Sequence, residues 1–242
     1  MNAPQRRGAT ASAGPASGPG AVQQAATDDA PSAPMYVLYG TKRSGSAIAE
    51  IGLDWCGAPY RVVQASSWED DSAQDALRQL NPLMQIPTLQ TPSGDVLTES
   101  AAILMHLGLR FPQAGLLGHS EAMRDQILRG LVFIAANCYS QITIIDFPER
   151  FTTSASPADR EAVKAGATQR LHLHWEMFAD QFPGRPWLSG DQPGALDAMA
   201  VIVSRWSGSR AHLQQHRPEF FAVLQRIEAL PIVAAVFKRH WG

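Results

Sequence analysis

The sequence has few cysteines, little net charge and no long apolar run, and each shortage argues against a class of protein. Its two cysteines, Cys56 and Cys138, cannot form a disulfide framework for 242 residues, so we expect a reducing cytoplasmic environment. A formal charge of −2 and a pI near 6.4 provide no basic field for nucleic acid or an anionic membrane. No uninterrupted run of about 18 apolar residues occurs, so the sequence predicts no transmembrane helix.

Large apolar residues are also scarce in residues 1–34, which are mostly Ala, Gly, Pro and Ser. Such a segment buries too little surface to offset the entropy lost on ordering, so we expect a disordered tail. Arg6 and Arg7 suggest an export signal, but no apolar region follows them, which argues against export. A hydrophobic content of 45% over the whole chain is enough for one large core or two smaller ones.

Residues 35–111 alternate between strand and helix patterns. The apolar strand "MYVLYG" precedes "SAIAEIGLDWCG", in which Ile48, Ile51 and Trp55 follow a helical spacing. The strand "YRVVQ" comes next, and a strand–helix–strand unit predicts a parallel pair. An irregular helix, a strand, a Pro-Ser-Gly turn, a second strand and a helix complete the order βαβαββα.

Residues 112–118 are interpreted as a linker, and the rest of the chain as helical. Apolar periodicity predicts helices over 119–145, 158–182 and 195–206, and two more helices close the chain. The sequence therefore predicts a small mixed-sheet domain over 35–111 and an all-α domain over 119–242.

Several motifs in this order carry a family resemblance. They are "LNPLMQIPTL", "LTESAAI", "PWLSGD" and the ending "RPEF…LPIVAAVF". Together they make residues 35–242 resemble the cytosolic glutathione transferases, with "SGSAIAEIGL" and "DFPERF" most similar to a bacterial, serine-type-like branch. The resemblance implies a thioredoxin-like, glutathione-binding first domain and a helical second domain. It also implies glutathione as co-substrate, a small electrophile, no metal, and a cytoplasmic homodimer that binds neither nucleic acid nor membrane.

The resemblance places glutathione on the stretch "QIPTLQTPSGDVLTESAAI", which begins at residue 85. In the family the bond matching Ile86–Pro87 is cis, so the Ile86 main chain faces outward and can pair with the cysteinyl backbone of the tripeptide. Gln85 stands where the family often has a polar contact to the tripeptide. Glu99 and Ser100 stand at a helix N-terminus, which suits the γ-glutamyl ammonium and carboxylate groups.

A purely structural alternative explains the same stretch without any ligand. Thr98 or Ser100 would then be an ordinary helix N-cap, and Pro87 an ordinary turn proline.

A glutathione transferase needs a group that stabilises the bound thiolate, because a free thiol has a pKa of about 8.5. The resemblance puts this group in "YGTKRSGSAIAE", and three hydroxyls compete for the role. Ser44 is the first candidate, although it lies one residue off the usual family spacing. Ser46 is the second and is equally suited to cap the helix. Tyr39 is the third, and its alternative role is that of a packed strand aromatic. A main-chain N–H of this turn is a further alternative.

Other residues carry weaker predictions. Trp68 and Arg78 are candidates for approaching the glycyl carboxylate. The following are candidates for lining an apolar co-substrate cleft, though helical apolar residues are more often core: Tyr139, Ile142, Ile145 and Phe147.

Asp197 is predicted to be structural, in a helix-start motif where Gly194 replaces the family's hydroxyl residue. Cys56 is predicted to be buried and inert. The histidines do not follow metal-ligand spacing, since His172 and His174 fall on different sides of a helix.

The leading functional hypothesis is an enzyme that conjugates, reduces or isomerises small electrophiles with glutathione. The alternative is a protein of the same fold that binds glutathione or protein partners without efficient catalysis. A third hypothesis is a glutathione-dependent lyase or dehalogenase.

Overall fold

A computed structural model describes residues 35–242, and the tail predicted for residues 1–34 lies outside the described residues. The first part of the described chain contains four strands and three helices in the predicted order βαβαββα. The strands are β1 (Tyr36–Gly40), β2 (Tyr60–Gln64), β3 (Thr88–Gln90) and β4 (Val96–Leu97). The helices are α1 (Ser46–Cys56), α2 (Gln74–Leu80) and α3 (Ser100–Arg110).

The four strands form one mixed sheet in the order β2-β1-β3-β4. The predicted parallel pair is confirmed, because β1 runs parallel to β2 with Leu38 opposite Val62. Strand β3 lies antiparallel to β1, and β4 lies antiparallel to β3. This order brings the starts of α1 and α3 and the segment before β3 to one region of the domain.

The second part of the described chain is helical. Its α-helices are α4 (Glu121–Phe133), α5 (Ser140–Asp146), α6 (Pro157–Gln181), α7 (Ala195–Val203), α8 (Ser209–His216), α9 (Pro218–Glu228) and α10 (Pro231–Trp241). Two 3₁₀ turns occupy Pro112–Ala114 and Pro148–Phe151. A π-helical segment, Ile134–Tyr139, joins α4 to α5. The predicted fold class, a thioredoxin-like domain followed by a helical domain, is therefore confirmed, while α8 and the π segment were not predicted.

Helix α7 is the buried centre of the helical part, and every residue from Ala195 to Val203 is buried. Asp197 accepts hydrogen bonds from the main-chain N–H groups of Leu188, Ser189 and Gly194 at 2.9, 3.0 and 2.9 Å. Packing also explains the glycine, because a Cβ at position 194 would lie 2.7 Å from the Leu116 carbonyl oxygen. These hydrogen bonds to Asp197 hold the preceding loop against the start of α7.

One helical run, Glu121–Asp146, is long and apolar enough to cross a bilayer by length and composition, with a mean hydropathy of 1.3. The run contains polar residues such as Arg129 and Asn137, so it is not the uninterrupted apolar run considered in the sequence analysis. Helices α9 and α10 meet the same criteria of length and composition only as a pair, and they are bent by 85° at their junction. Within the run, Ile127, Leu131 and Ile142 are buried in the core, and the core helix of a soluble protein meets the same criteria.

Candidate functional site

The start of α3 carries an unsatisfied buried hydroxyl. Helix α3 begins at Ser100, and the preceding Glu99 has a positive φ of 64°, which is uncommon for a residue other than glycine. No side chain caps this helix, so neither Thr98 nor Ser100 performs the capping role of the structural alternative. Ser100 Oγ is buried and has no hydrogen-bond partner among the described residues. A buried hydroxyl beside the free N–H groups of a helix start can donate a hydrogen bond to an anionic ligand.

The segment before β3 presents an unpaired main chain. The Ile86–Pro87 bond is cis, the isomer that the family resemblance implies. Within residues 35–242, neither the N–H nor the C=O of Ile86 forms a hydrogen bond. Its neighbour is firmly held, because the Gln85 carbonyl accepts bonds from Asn81 Nδ2 at 3.0 Å and Thr88 Oγ1 at 2.8 Å. The side chain of Gln85 is exposed. Ile86 therefore has one free hydrogen-bond donor and one free acceptor, and the main chain of the preceding residue is held in place.

The two serines predicted at the start of α1 are turned inward. Ser44 Oγ donates to the Thr41 carbonyl at 2.7 Å, and Ser46 Oγ lies 2.8 Å from the same oxygen. The two hydroxyls are 2.8 Å apart, and Ser44 Oγ also accepts the N–H of Ser46 at 3.2 Å. Both side chains are buried. Ser46 is the first residue of α1 rather than its cap, and the hydroxyl cluster braces the turn that leads into the helix.

A residue of the helical part reaches the same turn. An ideal Cβ built on Gly45 would lie 2.1 Å from the hydroxyl oxygen of Tyr139 and 3.5 Å from Cδ of Pro87. The Tyr139 hydroxyl therefore occupies the space that any side chain at position 45 would need. Tyr139 ends the π-helical segment, and π-bulges are frequent at functional sites because they redirect side chains. We call the region bounded by Gly45, Ile86, Glu99, Ser100 and Tyr139 the α1–α3 cleft.

The Tyr139 hydroxyl is a hydrogen-bond donor without a partner among the described residues. Burial raises the pKa of this phenol, and the carboxylates of Glu99 and Asp146 raise it further. The group therefore stays protonated near neutral pH and can donate to an anion. Its ring is held by stacking on Trp206, with centroids 5.7 Å apart and planes 15° from parallel. The sequence identified Tyr139 only as a cleft-lining aromatic, because the π segment that aims its hydroxyl leaves no signal in apolar spacing.

The remaining polar and aromatic candidates from the sequence are Tyr39, Trp68 and Arg78. Tyr39 is buried with Ala65 and Leu77 in a separate cluster beneath α2, on the opposite face of β1 from Leu38 and α1. The structure therefore does not bring it to the turn before α1. The Trp68 side chain is 58% exposed, and Arg78 is paired with Asp75 on the surface.

The predicted lining of the co-substrate cleft is mostly core. Ile142 and Ile145 are buried in the main hydrophobic core, and Phe147 lies beneath the guanidinium of Arg150 at 4.0 Å. Cys56 is half-buried rather than fully buried, and burial raises the pKa of its thiol to about 11. A thiol with that pKa is unreactive near neutral pH.

Residues 35–242 contain no group of three or more His, Cys, Asp or Glu side chains arranged to hold a metal ion. Three histidines do gather on the helical part, where His212 stacks between His172 and His216 with centroids 4.4 and 4.3 Å away. Surface hollows of about 570 and 380 Å³ lie near these helices, on α6 and beside α9, and neither includes a residue of the α1–α3 cleft.

Comparison with known proteins identifies the family. Residues 46–109 match the family model described as "Glutathione S-transferase, N-terminal domain". The chain is 30% identical over 208 residues to the uncharacterized GST-like protein YncG of Escherichia coli K12, a match that spans 85% of this chain and 98% of that protein. The chain belongs to the glutathione S-transferase family. A maleylacetoacetate isomerase of Pseudomonas aeruginosa is 26% identical over 173 residues, covering 69% of this chain and 77% of that enzyme.

Solved glutathione transferases share the fold. A glutathione transferase homologue from Sulfitobacter, crystallised with bound glutathione, superposes with a TM-score of 0.75 at 19% identity, over 85% of this chain and 98% of that one. A glutathione transferase from Methylococcus capsulatus superposes with a TM-score of 0.69 at 27% identity, over the same shares of each chain. Of the α1–α3 cleft of this glutathione S-transferase family member, Ile86, Glu99 and Ser100 lie within the matched residues, Gly45 directly precedes them, and Tyr139 lies outside them.

Proposed function

We propose that this protein binds glutathione in the α1–α3 cleft and transfers its thiolate to small electrophiles. The observation that carries the proposal is Ser100, whose buried hydroxyl has no partner at a helix N-terminus. A γ-glutamyl carboxylate bound there accepts hydrogen bonds from the Ser100 hydroxyl and from the free N–H groups of α3. The Glu99 carboxylate pairs with the γ-glutamyl ammonium group.

Ile86 supplies the second anchor. Its unpaired N–H and C=O match the C=O and N–H of the cysteinyl residue, so the tripeptide adds to the edge of the domain as a short extended strand. Two anchors separated along the peptide fix its direction, and they aim the cysteinyl side chain toward the turn before α1. Gln85 remains a proposed contact to the tripeptide backbone.

The thiolate is stabilised by donors on this turn. Ser44 and Ser46 remain the proposed catalytic hydroxyls, with Ser44 first, and each must leave the Thr41 carbonyl to donate to sulfur. Tyr139 is added as a third donor, because its hydroxyl already faces the turn and is held protonated. A hydrogen bond to the thiolate favours the ionised form, and each pKa unit gained corresponds to about 1.4 kcal/mol.

The chemistry is a nucleophilic substitution or addition. Glutathione releases its thiol proton to solvent, and the thiolate attacks an electrophilic carbon. A C–S bond forms, and in a substitution the leaving group departs with its electron pair as an anion. The protein contributes the orientation of the thiolate and the hydrogen-bond donors that stabilise it. Reduction or isomerisation, which the family resemblance also implies, would use the same bound thiolate. Detoxification in the cytoplasm is the proposed physiological setting, and a serine-type branch is the proposed subclass.

Two measurements on the purified protein test the proposal. We expect retention on immobilised glutathione and conjugation of 1-chloro-2,4-dinitrobenzene, followed by absorbance. Retention without turnover supports the non-catalytic alternative, whereas the absence of both contradicts glutathione binding altogether. Ser44→Ala, Ser46→Ala and Tyr139→Phe, assayed in parallel, identify the donor by the largest fall in kcat.

The protein is proposed to form a homodimer that pairs the first domain of one subunit with the helical domain of the other. Large apolar side chains are exposed on both parts, including Leu83 at 68% and Val132 at 55%. Sedimentation analysis of the wild type and of Leu83→Glu tests this, because the charge is expected to shift a dimer toward monomer. A wild-type monomer contradicts it.

A further inference from the structure

The last helix of the chain is bonded to the turn at the start of the first helix. The main-chain N–H of Arg43 donates to Nδ1 of His240 at 3.2 Å, although 197 positions separate the two residues. On its other side, His240 Nε2 lies 2.7 Å from Oε1 of Glu50 in α1. The His240 side chain is 2% exposed and that of Glu50 is 8% exposed. The imidazole therefore bridges α10, α1 and the turn before α1.

The geometry fixes the proton on this ring. A main-chain N–H can only donate, so Nδ1 must be the unprotonated, accepting nitrogen. The ring proton is then on Nε2, which donates to the Glu50 carboxylate. A second proton on Nδ1 would place N–H against N–H and break the bond to Arg43. Only the neutral ring with this tautomer holds both partners.

The residue whose N–H bonds to His240, Arg43, has a strained main chain. Arg43 has a positive φ of 59°, which costs energy for a residue with a side chain and persists only when the surroundings enforce it. The Arg43 side chain is exposed, so its main-chain bond to His240 is a tether that holds this conformation. Ser44 follows directly, and its hydroxyl is part of the cluster on the Thr41 carbonyl.

We propose that His240 is a positioning residue for the thiolate site, holding the Arg43–Ser44 main chain in its active conformation through its bond to the Arg43 N–H. This rests on the proposed function for its catalytic consequence, though not for the tether itself. Without this bond the turn loses the geometry that directs its donors at sulfur. The last helix thus supports activity through a residue that does not touch the substrate.

The ion pairs beside the His240–Glu50 bond involve the neighbouring residue Arg239. Its Nε lies 3.1 Å from Glu50 Oε2, and its Nη2 lies 2.6 Å from Asp54 Oδ2. Tyr60 of β2 accepts from Arg239 at 3.2 Å, and Trp241 packs on the His240 ring at 5.2 Å. Burial raises the pKa of Glu50, but the hydrogen bonds from His240 and Arg239 outweigh it and lower the pKa overall, so Glu50 stays ionised as the acceptor for Nε2.

Two substitutions at this position separate the bonds. His240→Asn keeps an amide oxygen near Nδ1, which can accept from Arg43, and loses the bond to Glu50. His240→Gln keeps an amide nitrogen near Nε2, which can donate to Glu50, and loses the bond to Arg43. Both variants remove one hydrogen bond, and His240→Asn also leaves the larger cavity because its side chain is one methylene shorter. A structural role alone therefore predicts a loss in His240→Asn at least as large as that in His240→Gln. Lys238→Ala, an exposed change on the same helix, is the control.

The first measurement does not depend on catalysis by the protein. In ¹⁵N NMR spectra of the full chain without glutathione, the Arg43 amide proton is expected to exchange slowly with solvent in the wild type, in Lys238→Ala and in His240→Asn. It is expected to exchange faster in His240→Gln. Equal exchange rates in the two His240 variants overturn the tether.

The second readout is the conjugation of 1-chloro-2,4-dinitrobenzene. We expect kcat to fall about fivefold in His240→Gln, the equivalent of ~1 kcal/mol for one hydrogen bond. The KM for glutathione is expected to stay within about twofold in both variants, and His240→Asn is expected to keep the kcat of the wild type. Equal losses in the two variants contradict a positioning role. A wild type that neither binds nor turns over glutathione refutes the proposed function, and the NMR readout still decides the tether.

Discussion

Replacing Ser100 with alanine is expected to raise stability and lower affinity for glutathione at the same time. In the free protein the Ser100 hydroxyl is buried without a partner, which costs roughly 1–3 kcal/mol. Removing it relieves that cost, so the free energy of unfolding is expected to increase by up to this amount. In the complex the same hydroxyl bonds a carboxylate, and such bonds contribute roughly 1.5–3 kcal/mol. Its loss is expected to raise the Kd for glutathione by about 10- to 150-fold.

The two effects are measured separately and have a matched control. Urea unfolding of the glutathione-free protein gives the stability change, and isothermal titration calorimetry gives the affinity. Ser209, at the start of α8, also has a fully buried hydroxyl without a partner among the described residues, and it lies outside the α1–α3 cleft. Ser209→Ala is expected to raise stability while leaving the affinity unchanged. A destabilised Ser100→Ala protein with intact affinity refutes the assignment of this hydroxyl to the ligand.

Three further substitutions test other parts of the account. Tyr139→Phe is expected to lower kcat by about 10- to 100-fold with little change in KM, because it removes a donor to the developing charge, and steady-state kinetics check this. Gly194→Ala is expected to lose roughly 1–3 kcal/mol of stability because its Cβ meets the Leu116 carbonyl. Gly166→Ala, with open space around it in α6, is expected to gain roughly 0.5–1 kcal/mol. Comparable urea midpoints in the two variants contradict the packing argument. Burial lowers the pKa of His172, so the unfolded chain takes up its proton first and stability is expected to fall as the pH drops through about 6.5. His172→Asn is expected to flatten that fall, and an unchanged pH dependence of unfolding speaks against it.

Much of the architecture follows from local signals in the sequence. The change from period-two strands to helical spacing, with glycine and proline at the boundaries, predicted the order βαβαββα, and the structure confirms it. Helix α8 was missed because Ser209–His216 is short and polar, so it has little apolar periodicity to detect. Its helical state depends on packing against α6 and α9 rather than on its own pattern.

The candidate site is less accessible to sequence reasoning, because its geometry comes from distant residues. The motif around Ile86, Glu99 and Ser100 is contiguous and could be recognised. The orientation of Tyr139 depends on one π-helical segment, and the tether at Arg43 depends on a histidine near the end of the chain. Such pairings leave no mark in a single sequence, since neither partner is unusual in its local context.

The most direct test of the central claim is a crystal structure of this protein with glutathione bound. The account predicts the γ-glutamyl carboxylate on Ser100 Oγ at the start of α3, the cysteinyl main chain paired with both polar groups of Ile86, and the sulfur beside the turn before α1. Glutathione bound elsewhere, with the Ser100 hydroxyl and the Ile86 main chain still unpaired, would contradict it.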